Sequence, residues 1–353
     1  MFNMKKGHRP PPAFSTPDGK EPNVEGWDEA AFRASESWRS AEENTAPLRL
    51  FRSEDDPALL DYWAALGVKK ELFDTERGGG AFRYAVHTPL DIKPGEKLPL
   101  LYCSHGGMAS PREAECYGFS KLIARERFLA VYPMNGGWSN EDVVTEFPRI
   151  LDALREKGYP IDLERVYASG FSSGSDATES AATSWPERIA ACAPCPGSNA
   201  MYNSLCRHSV EAYEKCLPLQ MPMLFVCGTA DFGDRYPFPD EECFENFNIW
   251  MERICKVAGY QPMHLADSQK LVAETTDPTC RATGLAPQRT WTEHFEGRDW
   301  YFGESYNAAG EPVFRIVCGQ DVPHITTGCH AALVWDYLKH WRRTADGASI
   351  YTP

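Results

Sequence analysis

The five residues Gly170-Phe171-Ser172-Ser173-Gly174 place a serine between two glycines. A serine hydroxyl is a poor nucleophile at neutral pH, so chemistry at Ser172 requires an exposed Oγ, a neighbouring base and donors for the oxyanion that attack creates. The flanking sequence meets the first need. Residues 165–168 read as a short apolar strand, and residues 175–184 are small and helix-compatible up to Trp185-Pro186. Strand, sharp turn and helix make a nucleophile elbow, in which glycines let the strained serine backbone pass close to its neighbours. Ser173 carries a rival hydroxyl, but its place after the nucleophile directs its backbone N–H at the oxyanion. A second donor comes from a loop after an earlier strand: residues 100–104 run into His105-Gly106-Gly107, and Gly107 or Met108 would donate. His105 reads as a packing and hydrogen-bonding residue of that turn and as a candidate substrate contact.

Around such an elbow the partners follow in the chain order nucleophile, acid, histidine. Of nine histidines, His324 closes Cys318-Gly-Gln-Asp-Val-Pro-His324, between the last apolar run and the C-terminal helix. A side chain there reaches back over the strand ends, so His324 is the expected base. His330 opens the following helix and His340 lies on it, and both read as packing or solvent residues; His294 is a candidate substrate contact. Asp231 ends Cys227-Gly-Thr-Ala-Asp231 at the close of an apolar run. A rigid strand end suits an acid that must hold the imidazole in one tautomer and stabilise the imidazolium. Asp234 is its competitor, and Asp321 reads as a cap of its own loop.

These residues need a scaffold. Apolar runs at 82–87, 100–103, 128–132, 165–168, 189–192, 223–227 and 313–317 read as strands. Between them Val143, Phe147, Ile150, Leu151 and Leu154 form one helical stripe, with Ser139 and Asp142 spaced as a capping box. Phe244, Phe247, Met251 and Ile254 form a second stripe, read as core packing rather than a cofactor site, and Val334, Tyr337, Leu338 and Trp341 a third. The alternation predicts an α/β domain over residues 68–345, with a mostly parallel central sheet flanked by helices.

Residues 1–67, rich in Pro, Glu, Ser and Trp, read as an N-terminal arm lying on that domain, and residues 346–353 as a tail. Residues 240–312 are long for a connection between strands and read as an insertion over the site. Within it, residues 289–294 and 300–302 alternate as strands about a turn at 296–299. Its rings Trp291, Phe295, Trp300, Tyr301 and Phe302 form either an apolar wall for a bulky acyl group, with Trp300 a candidate substrate contact, or a small core of their own.

At 353 residues, 42% hydrophobic and 24% charged, the composition is that of an ordinary globular protein with a substantial core. The net charge of −14 disfavours nucleic acid and anionic lipid as partners. Pro10-Pro11-Pro12 stands where a secretory peptide needs an apolar core of about 7–15 residues, and no stretch is long and apolar enough to span a membrane, so a cytoplasmic location is expected. Among twelve cysteines, Cys103, Cys192, Cys227 and Cys318 fall in or beside predicted buried strands, where free Cys acts as a small hydrophobe. Cys192-Ala-Pro-Cys195 lacks the second ligand pair of a zinc site and reads as structural. No metal or organic cofactor is expected.

The chain resembles the esterase group of the α/β-hydrolase superfamily that contains polyhydroxybutyrate depolymerases and bacterial feruloyl esterases, over about residues 82–342. The resemblance is carried by Leu98-Pro-Leu-Leu-Tyr-Cys-Ser-His-Gly-Gly107, Ile161-Asp-Leu-Glu-Arg-Val-Tyr-Ala-Ser-Gly-Phe-Ser-Ser-Gly174, Cys227-Gly-Thr-Ala-Asp231 and Val334-Trp-Asp-Tyr-Leu338. It implies an α/β-hydrolase fold, a Ser172–Asp231–His324 triad and a small-molecule ester as substrate. Two departures stand out: Val322-Pro323-His324 replaces the family's glycine-histidine pair, and Ile325-Thr-Thr-Gly328 replaces a longer polar-aromatic segment. An expanded spacing from Asp231 to His324 is a third, and all three bear on substrate class more than on reaction type.

Overall fold

The computed structural model describes residues 27–51, 53–77, 80–107, 111–133, 140–195, 214–231 and 241–353. Ten strands form one sheet: β1 (Val68–Arg77), β2 (Gly80–Pro89), β3 (Leu98–Ser104), β4 (Leu129–Pro133), β5 (Ile161–Gly170), β6 (Ala191–Pro194), β7 (Met223–Gly228), β8 (Arg289–Phe295), β9 (Arg298–Ser305) and β10 (Phe314–Gly319). Their order is β1-β2-β4-β3-β5-β6-β7-β10-β9-β8. From β4 to β10 neighbours run parallel, while β1–β2, β2–β4, β10–β9 and β9–β8 pair antiparallel. Strands β3, β4, β6 and β7 are buried along their whole length, as a parallel sheet covered by helices on both faces requires. This is the α/β-hydrolase architecture, with a hairpin added beyond β10.

Helices α1 (Glu29–Ala34), α2 (Glu36–Leu50) and α3 (Pro57–Ala65) precede the sheet. Asp28, Ser35 and Asp56 cap them by accepting from the N–H groups of Ala31, Trp38 and Ala58. Phe32, Trp38, Leu59 and Trp63 bury their side chains in the main core, so the described part of the arm is packed onto the domain. α4 (Pro111–Glu115) and α5 (Phe119–Glu126) link β3 to β4, and α6 (Asn140–Glu156) leads into β5. On α6, Phe147, Ile150, Leu151 and Leu154 face the core; Ser139 lies outside the described residues. α7 (Ser173–Ser184) follows β5, and α11 (His330–Leu338) follows β10. The third stripe holds to Leu338, but Trp341 belongs to β11 (Trp341–Arg343), which pairs with β12 (Ser349–Tyr351) in a small second sheet. The C-terminal tail thus has structure of its own.

The span between β7 and β10 contains α8 (Glu241–Ile249), continued by a π turn to Ile254, then α9 (Leu265–Glu274), α10 (Pro278–Thr283) and the β8–β9 hairpin. Phe244, Phe247, Met251 and Ile254 are all buried in the core. Glu296 and Gly297, at φ 53 and 72, make the hairpin turn, and consecutive positive φ values suit the right-handed twist of the strands. An insertion lying over the site was the expectation; its hairpin instead continues the central sheet through six β9–β10 residue pairs, from Ser305–Phe314 to Trp300–Gly319. The reason is register: edge strand β10 offers unpaired backbone groups that β9 satisfies.

Candidate active site

Ser172 sits between β5 and α7 with φ 55 and ψ −120, a conformation that costs a non-glycine residue about 1–3 kcal/mol. Strand ends on both sides hold it there. Phe171 N–H donates to Ser104 O at 3.2 Å at the end of β3, and Ser172 N–H donates to Cys195 O at 3.1 Å just past β6. Ser175 Oγ donates to the same Cys195 carbonyl at 2.9 Å. The flanking glycines are obligatory for a steric reason. A Cβ on Gly170 would lie 2.2 Å from Gly174 O, and one on Gly174 would lie 2.4 Å from Ser104 O. Without them β3, β5 and α7 could not approach closely enough to force the turn.

The oxyanion donors proposed from the sequence lie beside this turn. Ser173 is the first residue of α7, so its N–H is among the first-turn donors that the helix cannot satisfy. The 105–107 turn packs on the elbow: a Cβ on Gly106 would be 3.0 Å from Phe171 Cδ1 and 3.4 Å from Ser172 Cβ. Gly107 is half-buried at the rim of that turn, and Met108 lies outside the described residues. His105 is buried, its Nδ1 2.7 Å from Gly106 O, so the structure places it within the turn as a packing and hydrogen-bonding residue.

His324 and Asp231 lie together at the ends of β10 and β7. Nδ1 is 3.0 Å from Asp231 Oδ1, with the two side chains 2% and 0% exposed. With Nδ1–H donating to the carboxylate, Nε2 is the acceptor nitrogen of the ring. The imidazole lies 4.7 Å from the Phe171 ring, centroid to centroid, which brings His324 against the residue preceding Ser172. The two loops are laced together: Thr229 N–H donates to Gly319 O at 2.9 Å, Ala230 N–H to Val322 O at 3.1 Å, and Asp321 N–H to Thr229 Oγ1 at 2.8 Å. A Cβ on Gly228 would fall 1.7 Å from Val322 O. Asp321, at φ 54, supports its own turn, and Asp234 lies outside the described residues.

The remaining candidates are elsewhere. His294 is exposed on edge strand β8 and pairs with Asp299 Oδ1 at 2.9 Å inside its own hairpin. Trp300 is 1% exposed, and its ring lies under Gly319, where an added Cβ would meet it at 2.9 Å. It supports the histidine turn from below, and a substrate has no access to it. Four of the five hairpin rings stack in pairs, Trp291 on Phe302 at 4.8 Å and Phe295 on Trp300 at 5.2 Å. Trp300 and Phe302 belong to the main core, with Trp291, Phe295 and Tyr301 packed against it, so the rings extend that core rather than forming a small one of their own. His330 is buried at the start of α11, where burial pushes its imidazole down to about 4, and His340 is on the surface beside Thr352. Cys192 and Cys195 are buried free thiols, pushed up by burial.

Sequence reasoning overlooked Tyr117. Its hydroxyl accepts from Gly106 N–H at 3.0 Å, and its ring lies 5.5 Å from that of Phe171. It therefore props the 105–107 turn from behind. Tyr117 follows α4, which Glu115 ties to the sheet by accepting from Lys70 Nζ at 2.8 Å while lying 3.3 Å from His87 Nε2. Burial pushes Glu113, on the same helix, up to about 7. No local pattern could have signalled Tyr117, because its contact with Gly106 exists only once α4 folds back over the turn.

Strand order, elbow and the two laced loops define the class: an α/β-hydrolase fold with a serine at the strained turn between β5 and α7. No family model matches the chain. Over 170 residues, 46% of the chain, it is 34% identical to the bifunctional acetylxylan esterase/xylanase XynS20E of Neocallimastix patriciarum. The match spans 23% of that protein's length. Among solved structures, an acetyl xylan esterase from Aspergillus awamori is 13% identical with a TM-score of 0.49, covering 76% of this chain and 99% of that one. A cold-adapted esterase from an Arctic intertidal metagenomic library is 16% identical with a TM-score of 0.36, covering 47% of this chain and 74% of that one.

Proposed function

We propose that this chain is a serine hydrolase of carboxylic esters, with Ser172 as nucleophile, His324 as base and Asp231 as the acid that orients it. The observation that carries the reading is Ser172 at φ 55 and ψ −120 beside a buried His324–Asp231 pair 3.0 Å apart. Strain of this kind is retained where function requires it.

In the first half-reaction Ser172 Oγ attacks the ester carbonyl carbon while His324 Nε2 takes the hydroxyl proton. The carbonyl oxygen becomes an oxyanion, met by the backbone N–H groups of Ser173 and Gly107. The imidazolium, held by Asp231, returns its proton to the departing alkoxide, leaving an acyl-serine and free alcohol. Water then attacks the acyl carbon with His324 again as base, and the acid leaves as Ser172 regains its proton.

The similarity to an acetylxylan esterase favours a small acyl group, whereas the resemblance to feruloyl esterases favours an aromatic one. The stacking of the hairpin rings on each other supports the small acyl group. The test is fluorophosphonate labelling together with a series of p-nitrophenyl esters of graded acyl length. Native protein is expected to label covalently and to prefer acetate over longer or aromatic acids. Ser172→Ala is expected to lose labelling and about 10⁵- to 10⁶-fold in kcat. Labelling that persists in Ser172→Ala would remove the nucleophile assignment, and faster cleavage of a matched amide would make the chain an amidase.

A further inference from the structure

The turn that carries His324 is held from outside as well as from the acid loop. Trp27 Nε1 donates to Asp321 O at 2.9 Å, and Gly328 N–H donates to Ser40 Oγ at 3.0 Å. Trp27 of the arm and Ser40 of helix α2 thus hold the chain on both sides of the histidine. A Cβ on Gly328 would lie 2.3 Å from Ser40 Cβ, so the approach of α2 is as close as the chain permits.

At the centre of this contact is Arg298, the first residue of β9, only 8% exposed. Its Nη1 donates to Gln320 O, its Nε to Ser37 Oγ at 2.6 Å and its Nη2 to Ser35 Oγ at 2.9 Å. Ser37 Oγ in turn donates to Glu296 O at 3.2 Å, and Gln320 N–H donates to Asp299 O at 2.9 Å. Ser35 is the N-cap of α2, and the guanidinium also covers the Phe32 ring at 5.0 Å. All three of these acceptors are neutral oxygens. Burial disfavours the charge, which the Asp321 and Glu296 carboxylates offset only without a direct hydrogen bond, and a cation at a helix N-terminus opposes the helix dipole, so stability is not what the contact serves best. What it gains is geometry: one rigid fork joins α2, the hairpin and the carbonyl four residues before His324.

We propose that Arg298 is a positioning residue for the His324 base, acting through Gln320 and anchored on Ser35 and Ser37 of the N-terminal helices. The proposal rests on the reading of Ser172, His324 and Asp231 as a triad. It also accounts for the arm, which forms one wall of the clasp that fixes the angle at which the imidazole meets Ser172. A planar fork with three acceptors in fixed directions requires arginine, and lysine cannot reproduce it.

The test uses the full chain with Arg298→Ala, Arg298→Lys and the double substitution Ser35→Ala/Ser37→Ala, following p-nitrophenyl acetate turnover and thermal unfolding. Arg298→Ala is expected to lower kcat about 10- to 100-fold with KM nearly unchanged, the penalty of a base displaced by about 1 Å. Millimolar guanidinium should restore part of kcat in Arg298→Ala and none in Ser172→Ala. The serine double variant, which leaves Arg298 in place but unanchored, should lose a smaller factor, about 3- to 10-fold.

A folded Arg298→Ala protein with native kcat overturns the proposal, as does a loss confined to KM. If Arg298→Ala does not fold, native kcat in both the lysine and the double-serine variants overturns it equally. Retained labelling of Ser172→Ala would instead remove the triad reading on which the proposal stands, a separate failure with its own readout.

Discussion

The elbow around Ser172 and the loop around His324 carry the two ends of one proposed proton transfer and are held by different sets of elements. The elbow is fixed by its own glycines and by backbone bonds to the adjoining ends of β3 and β6, namely Ser104 O and Cys195 O. The histidine loop is fixed by contacts to the Asp231 loop through Thr229 and Ala230 and also from outside the parallel strands, by Arg298 and Asp299 of the hairpin and Trp27 and Ser40 of the N-terminal arm. A strained turn built from strand ends resists change because its alternatives collide with the sheet. A loop assembled from distant contacts can be tuned, or lost, from several directions.

Three experiments sharpen that contrast, beginning with the largest effect. Asp231→Asn keeps the shape of the acid loop but offers His324 a donor in place of an acceptor, forcing the wrong tautomer. A fall in kcat of about 10⁴ with little change in thermal midpoint is expected, and a near-native rate would show that Asp231 does not orient the base. Next come alanines at the two most crowded glycines. Gly170→Ala, whose Cβ would lie 2.2 Å from Gly174 O, should destabilise the fold by about 3 kcal/mol in urea denaturation, because the elbow has no room to give. Gly228→Ala, only 1.7 Å from Val322 O, should displace the histidine turn. It is therefore expected to lose activity out of proportion to stability; equal ratios for the two variants would erase the distinction between the loops.

The smallest effect concerns pH. His330 follows the histidine loop, and burial pushes its pKa down to about 4 in the folded protein. Between that value and the ordinary 6.5 the unfolded chain binds a proton that the folded one refuses, so stability falls as pH drops through this window. Burial also lowers His87, in the same direction. The informative quantity is therefore the difference between native protein and His330→Gln, measured as urea midpoints from pH 4 to 7. His330→Gln should show the shallower slope, and parallel curves would show that His330 does not contribute.

Much of the scaffold was legible because its signals are local. Short apolar runs correspond to β2–β7 and β10, and the alternation at 289–302 to the β8–β9 hairpin. β1 escaped because Val68-Lys-Lys-Glu-Leu carries too many charges to read as a strand, yet it pairs along ten residues with β2. Trp341 extended the last helical stripe because buried residues on adjoining elements mimic one continuous face. The aromatic cluster was ambiguous for a different reason: Trp291 and Phe302 stack only through cross-strand register, and register is not a property of either strand alone.

By itself the sequence determined the strand–turn–helix that puts Ser172 under strain, since glycine spacing and apolar runs act over a few neighbouring residues. It also ordered the candidate acid and base at later strand ends. That Asp231 and His324, 93 residues apart, meet at 3.0 Å, that Tyr117 props Gly106, and that Arg298 joins the arm to the turn before His324 follow from the folded chain alone. Such contacts depend on the relative placement of elements that chain connectivity leaves free. That placement is set by the packing of the whole core rather than by any one segment.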